Sequence, residues 1–568
     1  RGFGEVGVAD GGVVSCISTN NASFGPDFET LSTLSSFAFG KLNEKISSVT
    51  RVGISSHKPA IMSRNKLPQV ERTTIAGSME IPRMLNGLWQ LAGGHDQDVD
   101  ISSAAANVAP LIDAGLDGFD VADHYGPAEL VIGHHRLASP HRPVVAFTKW
   151  CPAESDGSFG NAEKAVDLAL RRTGGEKVEV MQFHAWDYSD PTWLLNIAHL
   201  QALQRKGKIG HIGVTNFDAA HLEMLIDSGV DVVTNQVSLS VIDRRVLTGR
   251  MGNVCKERGV GVLAYGTLLG GFLSERWVGA AEPTETEEEG MNWSLRKYLR
   301  FIRAAGGWEP FQNVLSVLRD VAKKHGVSIA AVATRWVLDV PFVKAVIVGT
   351  RLSEDSGRYM KKNMAAFGIV LDGEDRAAIE AAQEGLGDVP GDCGDEYRRA
   401  PFLTASGNLR DHVGEGDDVR RVEEAVAEGK RVEVGSGSKW ESVCGYSRAV
   451  RVGDVVRVSG TTATPPPGLE MKVVGGTSAR SQTVAALDII EGSLKRLGGS
   501  MADVVRTRVM LRREEDVGAV SEVHGWVFGC HGVRPANTTT TAGLIGEEVL
   551  VEIEAEAVVS SGASVVRM

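Results

Sequence analysis

The first regularity along the chain is an alternation of short apolar runs with amphipathic stretches of helix length, from about residue 81 to residue 379. Two of the amphipathic stretches, residues 191–206 and 217–228, have the size that a crossover helix needs. This alternation predicts a parallel sheet with right-handed crossovers, and eight strands in about 300 residues favour a closed (β/α)8 barrel over an open sheet. The readable strands are GFDV (118–121), PVVAFT (143–148), VEVMQF (178–183), IGHIGV (209–214), DVVTNQ (231–236), GVLAY (261–265) and AVIVG (345–349).

A different pattern occupies the end of the chain. A strand-like segment at 449–460 precedes a Pro-Gly turn at 465–468 and a helical stretch at about 478–497, after which VVRTRVML and VLVEIEAEAVV read as strands. This order predicts a smaller α+β domain. The segment between the two patterns is typical of a linker that contains one short helix, since it includes GDCGDEYRR and GEGDDVRR.

These patterns divide the chain into four parts: a leader at 1–70, the barrel at 71–388, the linker at 389–435 and the α+β domain at 436–562. Within the leader, residues 15–66 contain eleven serines and six Lys or Arg against three acids. Such a composition is typical of an organelle transit segment or of a disordered leader. If this leader is simply disordered, we expect a cytoplasmic protein. If it is a transit segment, the chloroplast or another organelle is the alternative.

Composition narrows the function classes. The chain has 568 residues and a formal net charge of −12, so binding to nucleic acid or to an anionic membrane is not expected. No run of 18 apolar residues occurs, so no membrane span is expected. The six cysteines form no CxxC pair, and the fourteen histidines show no metal-ligand spacing, so neither a disulfide scaffold nor a metal site is expected.

Two features of the sequence imitate functional motifs. Residues 2–7 satisfy the G-x-G-x-x-G pattern, but no strand precedes them and no helical run follows, as a phosphate-binding loop requires. A Glu-rich piece lies within a long interruption of the barrel pattern at 275–310, and such acid runs are usually solvated loop. We assign chemistry to neither of them.

Four reactive side chains fall where predicted barrel strands end. Asp120 ends the second strand, Tyr125 follows in the same loop, Lys149 ends the third strand and His184 follows the fourth. Reactive groups of (β/α)8 barrels belong at these carboxyl ends. Singly, each has a structural explanation, such as a helix cap, a surface lysine or a core histidine. Their occurrence on consecutive strands favours a catalytic site instead.

The barrel sequence resembles the aldo-keto reductase family over about residues 72–385. The family tetrad is an Asp and a Tyr five residues apart, followed by a Lys and a His on the next two strands, which Asp120, Tyr125, Lys149 and His184 match. The resemblance implies NADPH-dependent reduction of an aldehyde or ketone, with NADPH expected rather than NADH. The residues that it assigns to the cofactor are Gly87, Leu88, Trp89, Thr215, Asn216, Gln236, Tyr265, Gly266, Leu268, Gly270, Gly349, Thr350, Arg351, Arg358 and Asn363.

Acid–base chemistry gives each tetrad residue a role. Tyr125 is expected to donate the proton to the carbonyl oxygen as hydride arrives, although a free phenol near pKa 10 does this slowly. We expect the Lys149 ammonium to lower the pKa of Tyr125 and Asp120 to pair with Lys149. His184 is expected to donate a hydrogen bond that orients the substrate oxygen.

Residues of about 436–560 resemble the reactive-intermediate deaminase family, also called YjgF-type. The resemblance rests on GYSRAVRVGDVVRVSG, on Gln482 and on RPANTTTTAGLIGEEVLVEIEAEAV, and it implies a chorismate-mutase-like fold and a homotrimer. The pocket positions are Tyr446, Ser459, Gly460, Asn537 and Glu552. The family's deaminating members carry an Arg where this chain has Asn537, and an amide cannot replace a guanidinium in binding a carboxylate. Arg534 lies three positions away and is an alternative cation.

Three functions are compatible with this reading. The leading one is a carbonyl reductase whose accessory domain binds a small molecule or makes the chain a trimer. The second is a redox-sensing module that binds cofactor and serves chiefly in protein interaction. The third is a bifunctional reductase and enamine or imine deaminase.

Overall fold

A computed structural model describes residues 67–92, 100–152, 155–353, 356–398 and 417–559. The glycine motif at 2–7 and the leader up to residue 66 lie outside these ranges. Eight parallel strands form a closed barrel in which each strand pairs with the next along the chain and the eighth pairs with the first. Barrel strands one to eight are Met84–Gly87, Gly118–Asp120, Val145–Trp150, Val178–Phe183, Ile209–Thr215, Val232–Ser238, Gly261–Tyr265 and Val343–Gly349.

The interior of the barrel is apolar at the amino end and polar at the carboxyl end. A hairpin of Arg72–Ile75 and Met79–Pro82 precedes the first strand, and its Ile75 and Ile81 pack with Leu85, Phe147 and Val180 in one buried cluster. At the carboxyl end, the buried interior side chains include Asp120, Lys149, Gln182 and Gln236. The amino end of the barrel interior therefore contributes buried apolar surface, and the carboxyl end carries the side chains that can react with a ligand.

Helices surround the barrel and connect its strands. Their ends follow local signals: the Ser158 side chain accepts a hydrogen bond from the Asn161 amide at the start of one helix, and Gly174 ends the same helix in the left-handed conformation. The α-helices of this region are Ile101–Ala106, Ala109–Asp113, Ala128–Ala138, Phe159–Thr173, Thr192–Arg205, Ala219–Asp227, Arg245–Thr248, Met251–Arg258, Glu285–Glu289, Trp293–Ala304, Trp308–His325, Ile329–Leu338, Ser356–Met364 and Gly373–Gln383. Short 3-10 helices occur at Leu88–Leu91, Leu269–Gly271, Glu275–Trp277 and Ala365–Gly368.

The first ten residues of the expected linker pack against the carboxyl end of the barrel. We call residues 389–398 the roof segment; it contains the 3-10 helix Asp395–Tyr397. Arg245 holds this segment, since its guanidinium lies 2.7 Å from both Glu396 and Asp243, and all three side chains are buried. The short helix expected in the linker is present at Asp417–Ala427.

The carboxyl-terminal domain is a six-stranded mixed sheet with two long helices. Its α-helices are Asp417–Ala427, Lys439–Cys444, Ala479–Arg496 and Val517–Cys530, with 3-10 turns at Met501–Asp503 and Glu514–Asp516. Its strands, in sheet order, are Val432–Val434, Ala449–Val452, Val455–Thr461, Val551–Val558, Val504–Leu511 and Ala536–Thr541. The last of these pairs in parallel with its single neighbour and forms an exposed edge.

Ala479–Arg496, here called the interface helix, joins this domain to the barrel. Its Ser481 donates to Asp227 at 2.7 Å, and its Asp488 lies 3.1 Å from His221; both partners belong to the helix Ala219–Asp227. Lys495 adds an ion pair with Asp187 at 3.0 Å. No helix among the residues described is both long enough and apolar enough to cross a membrane.

Candidate active site at the carboxyl end of the barrel

A cavity of about 810 Å³ opens at the carboxyl end of the barrel. All four tetrad residues line it, since Asp120 and Lys149 end adjacent strands and His184 directly follows a third. Most of the expected cofactor residues line it as well. These are Gly87, Trp89, Thr215, Asn216, Gln236, Tyr265, Gly266, Leu268, Gly270, Gly349, Thr350, Arg351 and Asn363.

Two expected cofactor residues do not line the cavity. Leu88 is fully buried in the apolar core. Arg358 is exposed on the helix Ser356–Met364, where its guanidinium carbon lies 5.1 Å from the centre of the Tyr359 ring. Tyr359 itself reaches the cavity.

Lys149 and Asp120 form a buried ion pair, as expected. The Lys149 ammonium donates to Asp120 Oδ1 at 2.7 Å, to Asp120 Oδ2 at 2.8 Å and to the Val121 carbonyl at 3.0 Å. Both side chains are almost completely buried, at 3% and 4% exposure. All three ammonium protons are therefore committed, and the lysine side chain is fixed in position.

The expectation that Lys149 lowers the pKa of Tyr125 is wrong. Burial raises the pKa of Tyr125 well above its usual range, and the Asp120 carboxylate adds to this effect. The Lys149 ammonium lies 4.5 Å from the centre of the Tyr125 ring, so it faces the ring while its protons go elsewhere. Because burial disfavours the phenolate, the phenol keeps its proton at neutral pH.

His184 is buried, and neither of its ring nitrogens has a hydrogen-bond partner among the described residues. Burial lowers its pKa well below the usual range, and the nearby cation Arg398 adds to this, so the imidazole is neutral. An unpaired buried polar group costs free energy. An imidazole N–H that lines the cavity without a partner is therefore available to an oxygen of a ligand.

Two side-chain amides near the carboxyl ends of strands five and six also line the cavity. Gln236 uses both protons of its amide, donating to Asp120 at 2.6 Å and to Gln182 at 2.9 Å. Asn216 has a left-handed backbone, with φ of 57°, and its side-chain oxygen accepts from the Tyr265 hydroxyl at 2.7 Å. Among the described residues, neither the Gln236 side-chain oxygen nor the Asn216 amide nitrogen has a hydrogen-bond partner, so one is available to a ligand as acceptor and the other as donor.

The loop after the seventh strand has the backbone shape of a ligand cradle. Gly266 and Gly270 have φ of 74° and 64°, which favours glycine at both positions. Between them, the buried Thr267 hydroxyl has no partner among the described residues and lines the cavity. This unsatisfied hydroxyl fits a polar group of a bound cofactor.

Sequence reasoning missed a second group of residues that line the cavity. All but Trp186, which lies in the loop after the fourth strand, come from the roof segment or from the barrel interruption, neither of which ends a strand. The group comprises Trp186, Trp293, Ser294, Lys297, Tyr298 and Tyr397. Tyr397 lies in a segment whose sequence is typical of a linker. Lys297 follows a run of acidic residues that is typical of a solvated loop.

Arg398 of the roof segment fixes the backbone beside the tetrad. Its guanidinium donates to the Ala185 carbonyl at 2.6 Å and to the Asn216 carbonyl at 2.6 Å. The guanidinium carbon lies 4.1 Å from the centre of the Tyr188 ring. One side chain outside the barrel thereby ties together the loops that carry His184 and Asn216.

The described residues contain one group of potential metal ligands: Asp123, His124 and Cys151, whose ligand atoms lie within 4.8 Å of one another. Asp123 is already engaged, since it lies 2.7 Å from His124 Nδ1 and accepts from the Cys151 amide at 2.9 Å. Burial raises the pKa of the Cys151 thiol well above its usual range, which disfavours the thiolate that a metal needs.

The carboxyl-terminal domain brings together four of its five expected pocket residues. Glu552 lies directly against Gly460, where a Cβ would come within 2.1 Å of its carboxylate. Arg448 donates to the Ser459 carbonyl at 2.6 Å and to the Gly460 carbonyl at 2.7 Å. The charge of this guanidinium also interacts with Tyr446 and Glu552. Arg448 is thus a further residue of this group that sequence reasoning did not single out.

Asn537 lies apart from the other four. It sits on the edge strand Ala536–Thr541, which is separated from the strand of Ser459 and Gly460 by two others. Its amide donates to the Thr507 hydroxyl at 3.0 Å, and its side-chain oxygen accepts from Thr539 at 2.8 Å. Within one chain, therefore, no single pocket contains all five residues.

Comparisons with known proteins agree with this geometry. Residues 83–384 match the aldo/keto reductase family, and residues 437–559 match the family described as endoribonuclease L-PSP. A flagellar radial spoke protein 5 of Chlamydomonas reinhardtii is 31% identical over 229 residues, which are 35% of this chain and 42% of that protein. An L-glyceraldehyde 3-phosphate reductase of Escherichia coli O157:H7 is 25% identical over 321 residues, which are 53% of this chain and 89% of the relative.

Among solved structures, a YjgF/YER057c/UK114-family protein of Mycobacterium tuberculosis is 41% identical, with a TM-score of 0.20, and covers 23% of this chain and 100% of its own. The first family match spans more than half of the sequence, so the chain belongs to the aldo/keto reductase family. Both resemblances stated from sequence are confirmed, and so are the closed barrel and the class of oxidoreductases. The family uses nicotinamide cofactors.

Proposed function

We propose that this protein reduces an aldehyde or ketone to the alcohol, with NADPH as the hydride donor. The observation that carries the proposal is one wall of the cavity. There the protonated Tyr125, the buried Lys149–Asp120 ion pair and the unpartnered His184 line the same space. A polarised carbonyl needs a proton donor and a hydrogen bond at its oxygen, and this wall supplies both.

The cavity also fits a nicotinamide cofactor. Asn216 and Gln236 offer one donor and one acceptor, which matches a carboxamide, and the Tyr265 ring lines the cavity beside them. The Thr267 hydroxyl and the glycine loop suit a phosphate. Bound reduced nicotinamide would supply the hydride. NADPH is favoured over NADH because Arg351 lines the cavity at the end of the eighth strand, where a guanidinium suits a 2′-phosphate.

The chain's own residues then perform the proton transfer. His184 holds the carbonyl oxygen through its N–H, and Tyr125 gives its proton to that oxygen as negative charge develops. The raised pKa of Tyr125 keeps the donor protonated before reaction. Lys149 stabilises the phenolate that forms, because its positive charge lies close to the ring. Asp120 holds Lys149 in place.

The test is NADPH oxidation by the full chain over a panel of aldehydes and ketones, repeated with NADH. We expect turnover with several carbonyls and a lower KM for NADPH. Failure to bind either nicotinamide cofactor in a fluorescence titration would contradict the proposal.

For the carboxyl-terminal domain we propose assembly of the chain into a homotrimer, or binding of a small molecule, rather than deamination. Asn537 is engaged with Thr507 and Thr539 and has no charge to offer a carboxylate. We expect hydrolysis of 2-iminobutanoate near background for the wild type. The matched variant is Asn537→Arg, which restores the missing cation. Robust hydrolysis by the wild type would show that Arg448 or Arg534 fills that role.

A second candidate, an interaction module, is favoured by one observation. The relative with 31% identity is a component of the flagellar radial spoke by its name. The complete tetrad and open cavity favour the enzyme. The carbonyl panel separates the two, because an interaction module would bind cofactor and turn nothing over.

A further inference from the structure

Lys297 is a cation on the cavity wall that forms no ion pair with a carboxylate of the described residues. Its ammonium donates to the Tyr397 hydroxyl at 2.8 Å. It lies 4.8 Å from the ring centres of Tyr265 and Tyr397, 5.4 Å from that of Tyr298 and 5.6 Å from that of Phe301. The ammonium is therefore surrounded by aromatic rings, with one of its three protons committed to a hydroxyl.

The acids near Lys297 are already used. Glu396 accepts from the Arg245 guanidinium at 2.7 Å on one oxygen, and its other oxygen lies 3.1 Å from the Tyr265 hydroxyl, whose proton goes to Asn216. Arg245 also holds the pKa of Glu396 at about 2 against the effect of burial, so this carboxylate is ionised. Asp120 is paired with Lys149. No carboxylate of the described residues lies within ion-pair distance of Lys297, although Glu396 is near enough to act on it electrostatically.

Lys297 stays charged in this environment. Burial favours the neutral amine, but the Tyr397 and Tyr298 hydroxyls and the Glu396 carboxylate offset burial and raise the pKa of Lys297 above its usual range. The aromatic faces around it also attract a cation. A charged ammonium at the wall of a mainly apolar cavity is stabilised by a ligand that brings the opposite charge.

The position of Lys297 relative to the tetrad limits the size of such a ligand. The Tyr397 ring centre lies 5.4 Å from the His184 ring centre and 4.8 Å from the Lys297 ammonium. Adding the two distances places the ammonium within about 10 Å of the imidazole centre. After a hydrogen bond of about 3 Å at each end, at most about 4 Å remains, so a carbonyl and an anionic group that use both contacts are separated by no more than a few atoms.

We propose that Lys297 binds an anionic group of the substrate, so that the preferred substrates are aldehydes or ketones with a carboxylate or phosphate within a few atoms of the carbonyl. This inference rests on the proposed reductase function and names its substrate class. Tyr397, which accepts from Lys297, is the residue that positions the ammonium toward His184.

The competing role for Lys297 is contact with the cofactor, because Tyr265 adjoins both. The two roles differ in what they predict. A substrate anchor changes selectivity between charged and neutral carbonyls, whereas a cofactor contact changes the Kd for NADPH and affects all substrates alike.

The experiment uses the full chain and matched pairs of substrates. One pair is 4-oxobutanoate and its methyl ester, and the other is glyceraldehyde 3-phosphate and glyceraldehyde; the two pairs distinguish a carboxylate from a phosphate. For the wild type we expect kcat/KM to favour the anion of at least one pair. In Lys297→Met, the ratio of kcat/KM for that anion to that for its neutral partner should fall by about 10- to 100-fold. Most of the loss should appear in KM, with the Kd for NADPH unchanged.

Two further variants serve as controls. Lys297→Arg keeps the charge and should retain most of the selectivity. Lys256→Met removes an exposed lysine that also lies against an aromatic ring, 5.4 Å from the centre of Phe342, but outside the cavity. Its selectivity should equal that of the wild type.

An unchanged ratio in Lys297→Met would overturn the proposal, as would a weaker NADPH affinity that affects both members of each pair equally. If the wild type reduces none of the four carbonyls, the reductase function itself fails. Calorimetric titration of the NADP⁺-saturated full chain with 4-hydroxybutanoate and with glycerol 3-phosphate then decides the anion site separately. Binding of either by the wild type but not by Lys297→Met supports the site, and no difference between the two proteins overturns it.

Discussion

The barrel cavity and the carboxyl-terminal pocket residues differ in how much of a site one chain provides. In the barrel, Asp120, Lys149 and His184 are each 3% exposed, and their neighbours hold them by several hydrogen bonds or by close packing. In the carboxyl-terminal domain, Tyr446 is 39% exposed, and every residue of the strand that carries Asn537 is exposed. One region of the chain therefore forms a walled cavity by itself, and the other presents an open surface.

This difference shows what each region still needs. A buried tetrad in a walled cavity can orient a small molecule without further protein, because water is already excluded from most of its polar groups. An exposed edge strand with open backbone groups is a surface that another chain can cover. We infer that the barrel works as one chain, while the pocket of the second domain depends on neighbouring copies.

The largest expected effect is on turnover, and it is tested by substituting one tyrosine in each region. Tyr125→Phe removes the proton donor and should lower turnover in NADPH-dependent carbonyl reduction by at least about 10²-fold. NADPH affinity should be unchanged, because the hydroxyl acts on substrate oxygen. Tyr446→Phe removes a hydroxyl of the second domain and should leave reduction as it is. Turnover of Tyr125→Phe at the wild-type rate would contradict the tetrad assignment.

The next effect concerns how the barrel holds its cofactor. Tyr265→Ala should weaken NADPH binding by about tenfold, because it removes both an aromatic face and the hydroxyl that fixes Asn216. Tyr265→Phe keeps the ring and loses the hydroxyl, so it should show a smaller loss. Fluorescence titration with NADPH measures both. Equal affinities in all three proteins would mean that this ring does not contact the nicotinamide.

The tetrad was predictable because its residues end strands that are regular in the sequence. The strands predicted at 118–121, 178–183 and 261–265 match the observed ones to within one residue, so the side chains at their carboxyl ends could be placed in one cavity. The long helix predicted at 478–497 is likewise observed, at Ala479–Arg496.

The rest of the site depends on packing between distant segments. Tyr397 lines the cavity beside Glu396, which pairs with Arg245, and no local pattern around residue 396 signals this. The sign of the Tyr125 pKa shift was also beyond sequence reasoning. It depends on how far the phenol is buried and on how close the Asp120 carboxylate lies to it.

The next prediction concerns assembly, where the expected effect is a threefold difference in the number of chains per particle. The full chain should be a trimer by light scattering, whereas a chain that ends at residue 410 keeps the roof segment, lacks the second domain and should be a monomer. The shorter chain should retain carbonyl reduction if the barrel site is complete by itself. A monomeric full-length protein would contradict the trimer.

The smallest effect concerns the contact through which the two regions meet. His221 is 2% exposed, stacks on Tyr188 at 3.5 Å and lies 2.7 Å from Asp218 and 3.1 Å from Asp488 of the interface helix. Burial favours the neutral ring, but the two carboxylates outweigh it and raise the pKa of His221 to about 9. Because the folded protein binds this proton more tightly than the unfolded chain, the stabilisation is fully present below about pH 6.5 and is lost as pH rises through 9. It amounts to at most about 3 kcal/mol.

We expect the unfolding temperature of the wild type to fall by a few degrees more between pH 6.5 and 9.5 than that of His221→Gln, measured by differential scanning calorimetry. Asp488 does not confuse the measurement, because burial raises its pKa only to about 6, below this window. Parallel pH profiles of the two proteins would show that no charged histidine joins the barrel to the second domain.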